Sequence, residues 1–355
     1  MKITSLKCQY LSYPLKRRFI TAIRQTDHIT DILVKITLDN GLVGYGSAPA
    51  TTAITGDTLS GMKSVIEDLF TPVLLHSNLM DYQQSLNKAF TQAMHNTGAK
   101  MAVDLAIHDL LAKTANQPLS QWLGANHHQL ETDVSISCAP ISDTLQAIDL
   151  AISKGFTCIK IKMGGDFNRD LALVSQLQQL PDSIKLRLDA NQGWTKAQTL
   201  SFFEHISRLK LNIELLEQPV KAFDLKALAE ITRRSPIPIL ADESVFDIQD
   251  ARTIIELKAA DIINIKLAKT GGILAASQIK KVADAHGITC MIGSMMESPL
   301  GIAAAASFAC ANNITMADLD PLDWIDKHHY QHWLTFNEPV ISLSSKSGLA
   351  FEPSA

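Results

Sequence analysis

Charged residues end a series of apolar segments at nearly constant intervals in the second half of the chain. The segments CIKIK, IKLRLD, IELLE, IPILAD and IINIK end at Lys162, Asp189, Glu217, Asp242 and Lys266, and successive ends are 24 to 28 residues apart. Apolar segments of strand length that recur in this way are typical of parallel strands separated by helices. Because each charged residue ends its segment, we expect all five side chains to meet at one edge of a sheet.

The three carboxylates of Asp189, Glu217 and Asp242 are predicted to bind a metal ion. They supply only oxygen ligands, which suits a hard divalent cation, and we expect one Mg²⁺ per subunit. Lys162 and Lys266 end the segments on either side of this trio. The two lysines should therefore face each other across whatever the metal holds, and such a pair can move a proton on or off a carbon from opposite sides.

Lys160 belongs to the same segment as Lys162, and both lie on one face of the strand because side chains alternate along it. Lysine is almost never buried unpaired, so a structural ion pair with the carboxylate trio is the alternative to a catalytic role for Lys160. In the catalytic interpretation, this cation and the metal each disfavour the charged form of Lys162 and lower its pKa. The metal should lower the pKa of Lys266 in the same way.

Removal of the proton next to a substrate carboxylate is the reaction that suits this layout. The carboxylate would bind Mg²⁺, which stabilises the second negative charge of an enediolate. With one lysine on each face, one removes the proton and the other returns a proton on the opposite side. The residues therefore predict an isomerase that works as a racemase or epimerase.

The strands that carry these residues are predicted to number eight. DVSIS, at residues 133–137, precedes the series, and CMIGS and MADLD extend it to Ser294 and Asp320. Helical patterns fill the intervals, and eight parallel strands with intervening helices form a TIM-type barrel, whose active sites lie at the carboxyl ends of the strands. The predicted fold class is α/β, with the barrel over residues 126–324.

The residues before the barrel predict a separate α+β unit. Alternating segments with an Asn40-Gly41 turn indicate antiparallel strands, two of which flank a polar loop at residues 16–28, and three helical patterns follow. We expect a capping domain over residues 1–125, with residues 325–355 packing back on it.

Composition argues against several other classes of protein. The 355 residues are 46% hydrophobic and 19% charged, as in an ordinary globular protein. The 32 basic and 36 acidic residues give a net charge of −4, which argues against a nucleic-acid or membrane surface. Five scattered cysteines without a CxxC pair indicate core thiols and a reducing, cytoplasmic location. We expect a small-molecule substrate, no nucleic-acid or membrane partner, and a homo-oligomer.

The motifs around the charged residues resemble those of the enolase superfamily, in its muconate-lactonizing subgroup, and most closely those of the dipeptide epimerases. The matching motifs are KIK at Lys160, DANQGW at Asp189, EQP at Glu217, ADES at Asp242 and NIKLAKTGG around Lys266. The resemblance covers nearly the whole chain. It implies a modified, (β/α)7β-like barrel with a capping domain, Mg²⁺ at the carboxylate trio, and Lys162 and Lys266 as the acid/base pair, with Lys162 on the L face.

The motif DLD ends the last predicted strand with Asp318 and Asp320, which lie on one face of that strand. Two carboxylates there could balance a cation, or could form a turn or a helix cap. In dipeptide epimerases a DxD motif at this place binds the α-ammonium of the dipeptide, so the resemblance implies that role here. Arg24 stands where the Ala-Glu epimerases carry an arginine that meets the glutamate side chain, and Ser135 replaces a threonine expected near the substrate.

The resemblance implies Mg²⁺-dependent epimerisation of a dipeptide, L-Ala-D/L-Glu, in cell-wall peptide metabolism. One alternative is an epimerase of dipeptides with an apolar or cationic C-terminal residue. Another is a cycloisomerase, o-succinylbenzoate synthase or N-acylamino acid racemase of the same subgroup, whose substrates carry no free ammonium for the DLD motif. A protein that only binds a small acid would lack a base or a metal ligand, and none is missing. The roles of Met295, Met296 and Glu297 do not follow from the sequence.

Overall fold

The chain begins with a long antiparallel hairpin and one further strand. The computed structural model of the protein describes residues 1–20 and 25–352. The first sheet has the order β1-β2-β3, with strands Ile3–Ile20 (β1), Gln25–Leu38 (β2) and Val43–Pro49 (β3). The prediction of a polar loop at residues 16–28 is wrong for most of that range. Strand β1 extends to Ile20 and β2 begins at Gln25, and Phe19 pairs with Thr26. Phe19 is buried, and this burial favours the strand beyond the cationic residues.

Five helices follow this sheet. They are Leu59–Ser64 (α1), Thr71–Leu74 (α2), Tyr82–Phe90 (α3), Thr97–Thr114 (α4) and Leu119–Trp122 (α5), with a π-helical turn, Val65–Phe70, between α1 and α2. The α4 helix is buried on nearly all sides between the first sheet and the rest of the protein. Asp104 of α4 accepts hydrogen bonds from the backbone N–H groups of Ile273 at 2.6 Å and Leu274 at 3.3 Å. This carboxylate therefore joins the first unit to a helix of the second.

Eight parallel strands form the second sheet, which confirms the predicted barrel architecture. After a short strand, Gln129–Glu131 (β4), these strands are Val134–Ile136 (β5), Cys158–Lys162 (β6), Lys185–Asp189 (β7), Ile213–Glu217 (β8), Ile239–Ala241 (β9), Ile262–Lys266 (β10), Thr289–Gly293 (β11) and Met316–Asp318 (β12). Each strand pairs with its neighbours in sequence. The end strands β5 and β12 approach each other through hydrogen bonds from Asp133 N–H to Ala317 O at 3.2 Å and from Leu319 N–H to Thr132 Oγ1 at 2.7 Å. The barrel is therefore nearly closed.

Helices follow the strands around the barrel. They are Ile141–Ser153 (α6), Phe167–Gln176 (α7), Lys196–Ile206 (α8), Leu225–Arg234 (α9), Ile248–Leu257 (α10), Leu267–Thr270 (α11), Ile273–Ala285 (α12), Pro299–Ala311 (α13) and Pro321–Trp324 (α14). Side chains of Asp166, Thr195, Asp224 and Asp247 accept backbone N–H groups at the starts of α7 to α10, and such caps fix where each helix begins. Among the described residues no helix has the length and apolar character needed to cross a membrane.

The C-terminal residues contact both units. Strands Leu334–Asn337 (β13) and Val340–Leu343 (β14) form a small antiparallel sheet with β4. Further along, Leu349 N–H donates to Asp109 Oδ1 of α4 at 2.7 Å, and the Phe351 ring packs edge-on against Tyr45 of β3. The final described segment thus lies against the first unit. The small sheet joins the C-terminal residues to β4, the short strand that precedes the barrel.

We predict that the junction between α4 and α12 is sensitive to one added methyl group. Gly272, at the start of α12, has φ +111°, and a Cβ atom there would lie 2.4 Å from Asp104 Oδ2. Gly272→Ala should lower the free energy of unfolding by about 2 to 5 kcal/mol, because positive φ costs about 1 to 2 kcal/mol and overpacking adds about 1 to 3. Denaturant unfolding followed by circular dichroism measures this loss.

Gly124→Ala is the matched control for this substitution. Gly124 has φ +105°, and no heavy atom would lie within 4 Å of its added Cβ. Gly124→Ala should therefore lower the free energy of unfolding only by the cost of the positive φ. Equal losses for the two variants would contradict the steric role of Asp104.

Candidate active site

The barrel brings the lysines and carboxylates predicted from strand spacing to one end of its interior. In the sheet, Lys162 of β6 is level with Asp189 of β7, and Asp189 is level with Glu217 of β8. Asp242 directly follows β9, and Lys266 ends β10. All five side chains are buried, because the strands end beneath the loops that follow them.

Lys160 lies among three carboxylates. Its Nζ atom is 3.0 Å from Asp189 Oδ2, 2.6 Å from Glu217 Oε2 and 2.7 Å from Asp318 Oδ2, and the side chain has no exposed surface. Burial alone would lower the pKa of Lys160, but these carboxylates outweigh burial and raise its pKa well above the ordinary value. Lys160 is therefore held in its charged form.

Lys162 and Lys266 contact different carboxylates on separate strands. Lys162 Nζ donates to Asp189 Oδ2 at 2.7 Å, and Lys266 Nζ donates to Asp242 Oδ2 at 2.7 Å. Burial lowers the pKa of Lys266, but the adjacent Asp242 carboxylate more than offsets burial, so its pKa is raised. The lowering of this pKa that is expected from Mg²⁺ stays a prediction. Lys266 can become a base only when another cation competes for Asp242.

The same cluster contains more carboxyl groups than lysine ammonium groups. Burial and the Asp189 carboxylate raise the pKa of Glu217 to about 7, and burial together with Asp242 raises the pKa of Glu243 to about 7. Glu243 Oε2 and Asn191 Oδ1 are buried and accept no hydrogen bond from the described atoms. Buried oxygen atoms and excess negative charge fit a hard divalent cation such as Mg²⁺.

The described residues contain no group of three His, Cys, Asp or Glu side chains in an arrangement that could by itself hold a metal ion. The ammonium groups of Lys160 and Lys266 instead contact the carboxylates directly. Occupancy by Mg²⁺ thus requires these ion pairs to give way in part.

Sequence reasoning missed a fourth lysine in this cluster. Lys269 Nζ lies 2.7 Å from Asp242 Oδ1 and 3.0 Å from Asn264 O, and its side chain is fully buried. Burial outweighs the attraction of Asp242 and lowers the pKa of Lys269. The available signal was its position three residues after Lys266, which places both on one side of a helical turn.

The two carboxylates of the DLD motif differ in their surroundings. Burial raises the pKa of Asp318, but Lys160, Lys162 and Lys266 outweigh it and the pKa is lowered. Burial and the neighbouring Asp318 raise the pKa of Asp320. Among the described residues no lysine, arginine or histidine nitrogen lies within 4.0 Å of the Asp320 carboxylate, so this carboxylate is the one that lacks a cation.

Ser135 lies in β5 at the level of Lys160, and its backbone N–H donates to Asp320 Oδ2 at 2.8 Å. Glu297, whose role the sequence left open, is buried, and burial together with Asp31 raises its pKa well above the ordinary value. Met295 and Met296 are buried beside it. Arg24 lies outside the described residues.

Two surface cavities lie outside the cluster of lysines and carboxylates. One of about 600 Å³ borders β1 and residues 328–333. The other, of about 200 Å³, borders Arg17, Lys154 and Trp324. The lysines and the carboxylate trio line neither cavity, so they are covered in this structure.

Family comparison matches both units of the chain. Residues 8–124 match the mandelate racemase/muconate lactonizing enzyme N-terminal domain, and residues 143–355 match the enolase C-terminal domain-like family. The chain belongs to the mandelate racemase/muconate lactonizing enzyme family. The resemblance seen in the motifs is thereby confirmed.

Several members of this family with similar sequences and structures are epimerases. An L-amino acid-D/L-Glu epimerase of Francisella philomiragia is 56% identical over 343 residues, covering 96% of each chain. The substrate-liganded L-Ala-D/L-Glu epimerase of Bacillus subtilis is 37% identical, with a TM-score of 0.95 and 98% of each chain covered. A dipeptide epimerase of Enterococcus faecalis, crystallised with Mg and L-Leu-L-Tyr, is 34% identical, with a TM-score of 0.93 and 99% of each chain covered.

We predict that Mg²⁺ stabilises the folded protein through Glu217. At about 100 times its dissociation constant, a ligand that binds only the folded state adds about 2.7 kcal/mol to the free energy of unfolding. The thermal midpoint should therefore rise with added Mg²⁺, and Glu217→Gln should remove this rise. The rise should also shrink as the pH falls below about 7, because Glu217 becomes protonated.

Glu214→Gln is the control on the same strand. Glu214 pairs with Arg187 and Lys185 near the opposite end of β8, away from the trio. This variant should keep the Mg²⁺-dependent rise. An undiminished rise in Glu217→Gln would show that Mg²⁺ binds elsewhere.

Proposed function

We propose that the protein is an Mg²⁺-dependent dipeptide epimerase that interconverts L-Ala-L-Glu and L-Ala-D-Glu by proton transfer between two lysines. The observation that carries this proposal is the placement of Lys162 and Lys266 on either side of a buried carboxylate trio, with the uncompensated carboxylate of Asp320 on the same face of the barrel. The activities of the relatives support the substrate class.

The two lysines act on opposite faces of the substrate, and each exchanges a proton with its own face. Lys162 removes the α-proton of the L isomer, and Lys266 delivers a proton to the opposite face; the reverse reaction exchanges these roles. Mg²⁺, bound by Asp189, Glu217 and Asp242, would supply positive charge to the substrate carboxylate as negative charge develops. Each lysine must be neutral before it accepts a proton, so its contact with Asp189 or Asp242 has to loosen in the loaded site.

Lys160 has a different part in the reaction. Its high pKa keeps it charged throughout, so it does not exchange protons with the substrate. It holds Asp189, Glu217 and Asp318 in place.

The substrate ammonium is bound at the DLD motif. Asp318 is already neutralised by Lys160 at 2.7 Å, whereas Asp320 has no such partner among the described residues, so Asp320 is the main ligand of the ammonium. A substrate without an ammonium would leave this buried carboxylate uncompensated, which disfavours the cycloisomerase and N-acylamino acid racemase alternatives. Arg24 is proposed to pair with the glutamate side chain, and Ser135 to support the ammonium subsite.

The remaining features of the proposal concern the molecule as a whole. We divide the chain into a capping domain of residues 1–125 and 325–355 and a catalytic barrel of residues 126–324. The five cysteines are free thiols, which supports a reducing, cytoplasmic setting. Assembly as a homo-oligomer and a role in cell-wall peptide metabolism stay predictions.

Proton exchange with solvent tests the proposed reaction. With L-Ala-L-Glu, Mg²⁺ and the protein in D₂O, the glutamate α-proton signal should disappear from the proton NMR spectrum while the L,D diastereomer appears. Exchange only with dipeptides that end in apolar or cationic residues would move the substrate class to that alternative. Absence of exchange across a dipeptide collection would refute dipeptide epimerisation.

Single lysine variants test the two-sided mechanism. Lys162→Ala should lose exchange from the L isomer by about 10² to 10⁴-fold, because a positioned acid or base contributes that factor, and should keep exchange from the D isomer. Lys266→Ala should show the opposite pattern. Lys185→Ala, an exposed lysine at the start of β7, is the control and should exchange both isomers.

We predict that Arg24 sets the preference for glutamate. Arg24→Ala should raise KM for L-Ala-L-Glu by about 10 to 100-fold, since a charge-assisted hydrogen bond contributes about 1.5 to 3 kcal/mol. It should change KM for L-Ala-L-Leu much less. Arg18→Ala, six residues earlier in the sequence, is the control, and unchanged selectivity in Arg24→Ala would assign glutamate recognition to another residue.

A further inference from the structure

We propose that Trp324 is a positioning residue that orients Asp320 for the substrate ammonium and makes this subsite depend on docking of the first hairpin. The inference rests on the proposed binding of an ammonium group by Asp320. It assigns a role to Trp324, Arg17 and Phe19, none of which the sequence analysis connected with the site.

The Asp320 carboxylate is held from one side by two N–H donors. Ser135 backbone N–H donates to Oδ2 at 2.8 Å, and the Trp324 indole N–H donates to the same oxygen at 3.2 Å. Neither hydrogen bond uses Oδ1, which stays available to accept from a ligand. Two donors on one oxygen fix the plane of the carboxylate without neutralising its charge, so the residue is oriented yet still requires a cation.

Trp324 is itself held by β1. The Arg17 guanidinium lies over the indole with its Cζ atom 3.9 Å from the ring centroid, and the Phe19 ring packs edge-on with centroids 5.2 Å apart. Arg17 Nη2 also pairs with Asp323 Oδ2 at 2.6 Å. The Trp324 side chain is 1% exposed, and these two neighbours from the first hairpin contribute to its orientation.

The end of β1 is attached to the barrel at a second place. Ile20 N–H donates to Ser137 Oγ at 3.2 Å, and Cys138 N–H donates to Ile20 O at 3.2 Å, directly after β5. Lys154, directly after α6, pairs with the other oxygen of Asp323 at 2.6 Å. The hairpin, the end of β5 and the short helix α14 therefore form one connected junction next to Asp320.

This junction links recognition of the ammonium to the position of the hairpin. When the hairpin is docked, Arg17 and Phe19 hold the indole, the indole holds Asp320, and the carboxylate is set for the substrate. When the hairpin moves away, Trp324 loses two of its neighbours and Asp320 loses a defined orientation. Binding of the ammonium thus favours the docked hairpin, and the docked hairpin favours binding.

Trp324→Phe tests the positioning role, because phenylalanine keeps the apolar ring and removes the N–H donor. KM for L-Ala-L-Glu should rise about tenfold with kcat changed less than twofold, since loss of a hydrogen bond to a charged group costs about that factor in affinity. The inhibition constant of N-acetyl-L-Ala-L-Glu, which has no ammonium, should stay the same. Trp333→Phe, also a buried tryptophan but one that packs against Phe351, is the matched control and should leave both constants unchanged.

The Trp324 indole proton gives a readout that does not require activity. In proton–nitrogen NMR spectra, Trp324→Phe identifies its indole signal among those of the four tryptophans. Asp320→Asn should shift that signal in the free protein, because the acceptor loses its charge. An unmoved signal would overturn the hydrogen bond itself, whereas a shifted signal without any dipeptide turnover would place the failure in the proposed function.

A double-mutant cycle tests the link to the hairpin. Arg17→Met keeps an apolar side chain over the indole and removes the cation, and it should raise KM for the dipeptide three- to tenfold. If Arg17 acts through Trp324, the double variant Arg17→Met/Trp324→Phe should have a KM close to that of Trp324→Phe alone. Multiplicative effects on KM, or equal changes for the acetylated dipeptide, would overturn the coupling.

Discussion

The whole site depends on one buried ion cluster, centred on the ammonium group of Lys160. This group lies within 3.0 Å of carboxylates from Asp189, Glu217 and Asp318 and has no contact with solvent. Removing such ions from water costs several kcal/mol per ion, and mutual attraction offsets this cost only in a fixed geometry. The barrel supplies that geometry, because each charged group stands on its own hydrogen-bonded strand. Apolar layers elsewhere, such as the fully buried helix α13, provide the stability that the charged cluster does not.

The strand ends and the convergence of the carboxylate trio could be predicted from sequence because the barrel is a local, repeated pattern. A polar residue that ends an apolar segment lies at the strand's carboxyl end wherever the sheet is parallel, so Lys162, Asp189, Glu217 and Lys266 follow from spacing alone. Features that depend on packing between distant segments did not follow. The extension of β1 to its end at Ile20 depends on burial of Phe19 against Trp324, more than 300 residues away, and the charge state of Lys266 depends on its distance to Asp242.

The same limit explains which site residues escaped sequence analysis. Lys269 and Trp324 lie on short helices that directly follow barrel strands, where their directions are set by the turn and not by strand alternation. A period of two predicts which residues of a strand face the barrel interior, but it ends with the strand. The positions of side chains in the turn after a strand therefore become known only from the structure. The positions of side chains at the strand ends can be predicted from the sequence pattern.

Asp318 and Asp320 show how position, and not residue type, divides the work of two identical side chains. They are separated by one residue and are equally buried. Lys160, Lys162 and Lys266 outweigh burial and lower the pKa of Asp318, which is paired, whereas burial and Asp318 raise the pKa of Asp320, which has no cation within 4.0 Å among the described residues. A paired carboxylate stabilises the barrel in the free protein. An unpaired carboxylate destabilises the free protein, and this cost is recovered only when a ligand brings a positive charge, so its contribution appears as affinity and selectivity. The fold keeps the two carboxylates of the DLD motif distinct by placing one beside Lys160 and the other beside an uncharged indole. In the proposed function, the first is a structural anion and the second a recognition anion.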